Sequence, residues 1–278
     1  MPPRFRLLAV DLDGTLLDSS WNLPEVNRRA LEAAAEAGVA LAIVTGRRFP
    51  AASACLVDLR LDPWLVLNGG ALVKQGREGP VVARTLLPLP QAREILSLVS
   101  ERGAHPVVHD GPDAEGYLLI ESREVANNSL AFYLEKATPP VRRLSNLQAE
   151  LERDPVQIMF AASLKEIAEI EQLLAHRLGR AVHLARTAYP ERDFAILDVT
   201  ASSCSKARAL SLVAERLGLT TADAMAIGDN WNDVEMLEVA GLGVVMANAA
   251  PELRSRGFAL TGSNDQGGVA EAIERLLL

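Results

Sequence analysis

Short apolar runs that end abruptly in chemically active residues constrain this chain more than any other feature. Leu7–Val10 runs into Asp11-Leu12-Asp13-Gly14-Thr15, and Ala42–Val44 runs into Thr45-Gly46-Arg47. Leu65–Leu67 stops at Asn68-Gly69-Gly70, and Met225–Ile227 stops at Gly228-Asp229. A strand apolar at every position must be covered on both faces, as parallel strands between helical layers are. Helix-period segments lie between the runs. Pro24 opens one with Val26, Ala30, Leu31, Ala34 and Ala37 on a stripe, closed by Gly38; Lys206–Leu217 and Val234–Ala240 end at Gly218 and Gly241, and Val269–Leu277 closes the chain. The expected fold class is α/β, with a doubly wound, Rossmann-like parallel sheet.

The middle of the chain has a different texture. Leu87-Pro-Leu-Pro90 reads as a linker, with a helix to Arg102 after it. Strands are expected at His105–His109, Tyr117–Ile120, Val156–Ala161, Val182–Ala185 and Phe194–Val199, and helices at Val125–Leu134 and Leu164–Leu178. Strand pairs mixed with helices predict an α+β module with an antiparallel sheet. One core domain from residues 1–83 and 200–278 is therefore expected, with residues 84–199 inserted into it.

Composition narrows the function. Hydrophobic residues make up 49% and charged residues 23%, enough for a full core, and aromatics only 4%, so Leu, Val, Ile and Ala must build it. The net charge of -8 carries no basic run, which argues against a nucleic-acid partner. No apolar stretch reaches the roughly 18 residues that span a bilayer, so no membrane partner is expected. Cys55 and Cys204 are too few for a disulfide framework and lack metal-ligand spacing. A cytoplasmic protein with reduced thiols is expected.

In open parallel sheets ligands gather at the carboxyl ends of strands, where all the active residues fall. Asp11 and Asp13 project to one side if strand geometry continues, and two such close carboxylates need a cation or a shared proton. Thr45 and the Gly46 backbone suit a phosphate oxygen. Lys206 is one of only four lysines in a chain that otherwise uses Arg, and it stands at a helix start, where a cation opposes the helix dipole. Asp229 and Asp233, four residues apart, could complete an oxygen cage for Mg²⁺ with Asp11 and Asp13. Each feature alone has an ordinary structural explanation, as a turn, a helix cap or a solvated helix start; their shared position at strand ends gives them weight.

Together these residues resemble the haloacid dehalogenase superfamily. Asp11-x-Asp13-Gly14-Thr15 is similar to its first motif, Thr45-Gly46-Arg47 to its second, Lys206 to its third and Gly228-Asp229-x-x-Asn232-Asp233 to its fourth. The insert falls between the second and third motifs, as in the branch with a type C2 cap. Asn68-Gly69-Gly70, Met246-Ala-Asn248-Ala249 and Asn264-Asp265-Gln-Gly267-Gly268-Val269 resemble signatures of the Cof-like, type IIB sugar-phosphatase group. Ala207 departs from the Gly that usually follows the lysine.

The resemblance implies a Mg²⁺-dependent phosphatase acting on small phosphate esters. Asp11 would be the nucleophile and Asp13 the general acid and base. Asp11, the Asp13 carbonyl and Asp229 would bind Mg²⁺, with Asp233 behind them. Leu12 and Gly46 (backbone N–H), Thr45, Lys206 and Asn232 would hold the phosphoryl oxygens. The insert would act as a lid, with His109, Asp110, Arg186 and Tyr189 as its polar or aromatic candidates near strand ends, although each is more commonly an ordinary surface residue. Trp231 is expected to pack. A sugar phosphomutase, a silent phosphosugar-binding protein and a receiver-like signalling domain are the competing expectations, the last opposed by Asp13 and the insert. Neither the natural substrate nor the oligomeric state can be read from the residues, and a monomer suffices for such a site.

Overall fold

A computed structural model describes residues 3–100, 102, 104–111, 116–122, 130, 131, 134 and 141–278. The chain forms two compact units. Unit 1 is Met1–Arg48, Ala52–Ala83 and Ser205–Leu278; unit 2 is Phe49–Ala51 and Arg84–Cys204. In chain order the strands are β1 (Leu7–Val10), β2 (Ala40–Val44), β3 (Trp64–Leu67), β4 (Leu72–Lys74), β5 (Val81–Arg84), β6 (Val107–His109), β7 (Leu118–Glu121), β8 (Val141–Leu144), β9 (Gln157–Ala162), β10 (Val182–Tyr189), β11 (Phe194–Ala201), β12 (Ala224–Gly228), β13 (Leu242–Met246) and β14 (Ala259–Thr261).

The first sheet has the order β14-β13-β12-β1-β2-β3-β4-β5. It is parallel from β14 to β3 and turns antiparallel at β4. The apolar runs sit at its centre: every residue of β1 and β12 is buried. Ala30, Leu31 and Ala34 of helix Glu25–Glu36 are buried, as the period predicts, and Gly38 ends that segment with a φ of +88°. On the Lys206–Arg216 helix, Ala209, Leu210 and Val213 join Leu7, Ala9, Val44, Val66 and Ala226 in one apolar cluster.

Register sets the functional geometry of unit 1. Val10 pairs with Ile227 on one side and Ile43 on the other, and Val44 pairs with Val66. Strands β12, β1 and β2 therefore end level, and the residues after them, Asp229, Asp11 and Thr45, emerge together at the carboxyl ends of the central strands. Residues more than 200 positions apart in sequence become neighbours through this alignment.

Unit 2 has a six-stranded sheet in the order β10-β11-β9-β6-β7-β8. It is antiparallel except for β7 and β8, which run parallel. Ile158, Phe160, Leu197 and Val199 pack with Ile95, Leu96, Ile167 and Leu174 of the helices, while Val107, Leu118, Ile120 and Met159 form a second apolar layer. Helix Leu164–Leu178 starts with reciprocal capping between Ser163 and Glu166, satisfying backbone donors that would otherwise be unpaired.

Several local expectations need correction. The β10/β11 hairpin extends to Tyr189 and Ala201, past the expected ends, and unit 1 resumes at Ser205 rather than 200. Four strands were not anticipated. β5 and β14 are short edge strands, β4 is a short buried strand between β3 and β5, and β8 carries Arg142 and Arg143 outward. The helix expected at Val125–Leu134 and the loop Asp110–Asp113 lie largely or partly outside the described residues. No helix among the described residues is long and apolar enough to cross a membrane.

Candidate active site

At the end of β1 the backbone turns within one wide helical loop, Leu12–Leu16, closed by Leu16 N–H donating to the Asp11 carbonyl and Leu17 N–H to that of Leu12. Asp13 and Gly14 leave helical geometry inside this turn, Gly14 with φ +79°. A β-carbon on Gly14 would also lie 2.4 Å from Asp229 Oδ2. Both constraints demand glycine. Gly14→Ala is thus expected to cost about 1–2 kcal/mol from its left-handed backbone alone and to push Asp229 aside. A lowered urea midpoint would register the strain; an unchanged midpoint would contradict it.

Three asparagines hold the carbonyls of this turn. Asn248 Nδ2 donates to Gly14 O at 2.8 Å, Asn27 Nδ2 to Leu16 O at 3.1 Å and Asn264 Nδ2 to Leu17 O at 3.0 Å. Asn264 N–H donates in turn to Asn248 Oδ1, and Ala270 N–H to Asn27 Oδ1. The Met246–Ala249 and Asn264–Val269 segments thus serve the first motif directly. Gly70 plays a comparable part for the third: with φ +110°, it leaves room for the Ser205 carbonyl, which an added β-carbon would meet at 2.4 Å. Ser205 Oγ accepts the Arg208 N–H and caps the helix whose first residue is Lys206.

Lys206 is buried, and its Nζ donates to Asp11 Oδ1 and to Asp233 Oδ1, both at 2.6 Å. Asp233 is fully buried, and its Oδ2 accepts the N–H groups of Asp229 and Asn230. Both Asp233 oxygens are thereby engaged. Gly228 makes this loop possible, because a β-carbon there would strike Asp233 at 2.6 Å. Thr15, also fully buried, donates from Oγ1 to Asp229 Oδ1 at 2.9 Å. Asp11, Asp229 and Asp233 each bring a carboxylate oxygen within 4.8 Å of the others, a group that could hold a metal ion.

The electrostatics follow from burial. Loss of water, then the nearby Asp233 charge, raises Asp11 from 3.8 to about 7 against the opposing pull of Lys206. Burial and the Asp11 charge also hold Asp229 well above the ordinary carboxylate range. Burial lowers the proton affinity of Lys206, but Asp11 and Asp233 outweigh it and the ammonium is held strongly protonated. When all three carboxylates are ionised, they and the one ammonium carry two net negative charges, the complement of a divalent cation. Oxygen-only donors suit a hard cation such as Mg²⁺.

Asp13 is held by a separate contact. Arg47 donates from Nε to Asp13 Oδ2 at 2.8 Å and from Nη2 to Oδ1 at 2.5 Å. Thr45, fully buried, accepts the Arg47 N–H on Oγ1, and its carbonyl accepts the Gly69 N–H, tying the loops after β2 and β3 together. Leu12 opens the turn after β1, Gly46 lies between Thr45 and Arg47, and Asn232 sits half-buried in the short turn Trp231–Asp233. The structure thus brings Asp11, Asp229, Asp233 and Lys206 into contact and couples Asp13 to Arg47. Residue-type reasoning missed Arg47, Asn27, Asn248 and Asn264 as working parts.

Other expectations fare differently. Trp231 is 41% exposed and lies outside the core. In unit 2, Asp110 pairs with Arg153, Arg186 with Glu171 and Tyr189 stacks on Phe194 at 5.8 Å, while His109 is buried in β6. These are structural engagements. A separate cavity of about 310 Å³ in unit 2, lined by Val99, Arg102, His105, Phe160, Glu166 and Ile170 among others, shares no residue with the acid cluster. Cys204 is buried, Cys55 receives the Arg47 Nη1 donor at 2.7 Å, and neither forms a disulfide.

The haloacid dehalogenase-like hydrolase family matches residues 8–273, spanning every residue of this cluster. The chain belongs to that family. Among its relatives, the HMP-PP phosphatase of Cronobacter sakazakii is 30% identical over 89% of this chain and 86% of its own length. The 5-amino-6-(5-phospho-D-ribitylamino)uracil phosphatase YwtE of Bacillus subtilis is 28% identical, over 98% of both chains. A solved haloacid dehalogenase-like hydrolase from B. subtilis superposes with a TM-score of 0.83 at 24% identity, covering 98% of this chain and 100% of that one. The fold is therefore that of the family, and the chain is a hydrolase.

Proposed function

We propose that this hydrolase is a Mg²⁺-dependent phosphatase of small phosphorylated metabolites, working in the cytoplasm, with unit 2 as the inserted cap. The observation that carries the proposal is the Asp11–Lys206–Asp233 arrangement beside Asp229: a buried carboxylate braced by an ammonium, with charge left over for one divalent ion. Phosphoryl transfer depends chiefly on positioning and charge neutralisation, and this cluster supplies both.

In this proposal Asp11 attacks phosphorus through a carboxylate oxygen, and the ester P–O bond breaks as the Asp11 O–P bond forms. Asp13 gives its proton to the departing oxygen and afterwards takes one from the water that hydrolyses the aspartyl-phosphate. Lys206 restrains Asp11 and offsets phosphoryl charge; Thr45, Asn232 and the Leu12 and Gly46 N–H groups hold the remaining oxygens. Mg²⁺, when bound, neutralises charge on the transferring group, with Asp11, Asp229 and the Asp13 carbonyl as its protein ligands. Asp233 stays behind them because its oxygens already serve Lys206 and the backbone. The printed activities of two relatives, both phosphatases, support the reading. Phosphate release from a panel of phosphorylated sugars, nucleotides and cofactors, with and without Mg²⁺, tests it. Activity on several members that a chelator abolishes is expected; turnover untouched by chelator would refute the metal assignment.

The raised carboxylates give a pH signature. In metal-free protein the folded state keeps a proton on Asp11 that the unfolded chain has lost, so its stabilising contribution is full below pH 3.8 and disappears as pH rises through about 7. Asp229 acts in the same direction. A cation competes with those protons, so Mg²⁺ should raise Tm more at about pH 8 than at about pH 5. Thermal melts in chelator and in Mg²⁺ at both values check this, and an equal shift at both would count against it.

A further inference from the structure

We infer that Arg47 is a positioning residue that aims Asp13 at the leaving oxygen, with Trp21 as its packing support. This rests on the phosphatase reading above and deepens it.

The Arg47 guanidinium meets Asp13 as a two-point fork, Nε to Oδ2 and Nη2 to Oδ1. Two parallel hydrogen bonds fix the rotation of a carboxylate as well as its location, which a single contact cannot do. The pair is largely shielded, with 20% of the Arg47 and 29% of the Asp13 side chain exposed. Arg47 is itself fixed on several sides. Its N–H donates to Thr45 Oγ1, its carbonyl accepts the Asn68 N–H, and Nη1 reaches Cys55 Sγ at 2.7 Å. Burial, the largest influence, raises the Cys55 thiol's pKa, so the guanidinium meets a neutral thiol there.

Trp21 completes the mounting. Its ring lies 5.9 Å from Arg47 Cζ, within cation–π range. Trp21 holds a φ of +63°, a conformation that is a true outlier for so bulky a residue. Its loop enforces that geometry. Asp18 Oδ1 accepts the N–H groups of Ser20 and Asn22, Trp21 N–H donates to Asp18 O, and Ser19 is bonded through N–H and hydroxyl to Asp265. Backbone strain this thoroughly supported marks a side chain whose placement matters. Here the placement sets one face of an indole against the arginine that grips Asp13.

The chemical consequence is specific. Proton donation by Asp13 matters most when the departing group is a poor one, and least when it leaves readily as an anion. The ratio kcat/KM reports events up to departure of the alcohol, so it isolates this step from hydrolysis of the aspartyl-phosphate. General acid catalysis contributes about 10²–10⁴-fold, and misaiming the acid forfeits part of that. Arg47→Met should therefore lower kcat/KM for an alkyl phosphate about 10–100-fold while lowering it only a few-fold for p-nitrophenyl phosphate. Arg47→Lys retains charge but not the fork, so it should show the same bias at smaller size. Trp21→Leu should do likewise, with the main loss in kcat rather than KM.

The test is a comparison of kcat/KM for an alkyl phosphate and p-nitrophenyl phosphate in wild type, Arg47→Met, Arg47→Lys and Trp21→Leu, with Tm measured on each. A selective loss on the alkyl ester supports the inference. Equal losses on both esters, or no loss on either, overturn it; if Arg47→Met does not fold, Arg47→Lys decides by the same ratio. Asp11→Asn serves as the separate check on the underlying reading. If that variant is inactive while the Arg47 variants show no bias, the phosphatase assignment stands and only the positioning role fails.

Discussion

Asp11→Asn is expected to reduce phosphate release by at least about 10³-fold while leaving the fold intact, because an amide cannot carry the phosphoryl group as a carboxylate does. The fold should survive for a local reason. Asn at this position still offers a carbonyl oxygen to Lys206 Nζ, and Lys206 keeps its second partner in Asp233. The substitution also removes a negative charge whose burial is unfavourable. Unchanged circular dichroism and a Tm no lower than that of metal-free wild type should accompany the loss of turnover. Near-normal phosphate release from this variant would remove Asp11 as nucleophile, whatever its metal affinity.

The second large effect concerns stability. Lys206→Met leaves Asp11 and Asp233 buried and facing each other without the ammonium between them. Breaking a buried ion pair by removing one partner costs about 3–5 kcal/mol, far more than loss of an exposed pair. Protonation of Asp11 can relieve part of that strain, so the cost should be larger at alkaline than at acidic pH. Mg²⁺ should recover some of it by supplying the missing positive charge. Urea unfolding of wild type and variant across pH, with and without Mg²⁺, measures each component. A midpoint within experimental error of wild type at alkaline pH would mean that Lys206 is not the counter-charge that the 2.6 Å contacts describe. Turnover should also fall, since the same ammonium braces the nucleophile.

Most of the core's logic is legible along the chain because strand ends concentrate both sterics and chemistry. The fully apolar Leu7–Val10 and Ala224–Ile227 announce a central parallel sheet, and a ligand cleft at their carboxyl ends follows from topology. The register that levels β12, β1 and β2 is what converts separate motifs into a cluster, and register across 200 residues leaves no local trace. Arg47 is a case in point. Its motif is visible, yet its grip on Asp13 depends on how two loops from different strands cross. Asn248 and Asn264 stand in segments that the resemblance marks, yet their roles, like that of Asn27, leave no local sign, since an asparagine's value lies in which carbonyl it reaches.

The insert was harder to read. Its edge strand Val141–Leu144 carries two arginines and has no apolar alternation, while Asp110, Arg186 and Tyr189 have partners within unit 2 that spacing alone could not reveal. Trp231 was misread for a related reason. A large aromatic side chain suggests packing, but Trp231 lies in the short turn with Asn230 and Asp233 and is 41% exposed.

The account is tested most directly by trapping the covalent intermediate. Rapid acid quench during turnover of a phosphate ester in Mg²⁺, followed by peptide mass spectrometry, should place a phosphoryl group on the Asp11 carboxylate. The same quench on Asp11→Asn should give none. Full-rate phosphate release with the label absent from that peptide, or found on another residue, would contradict it.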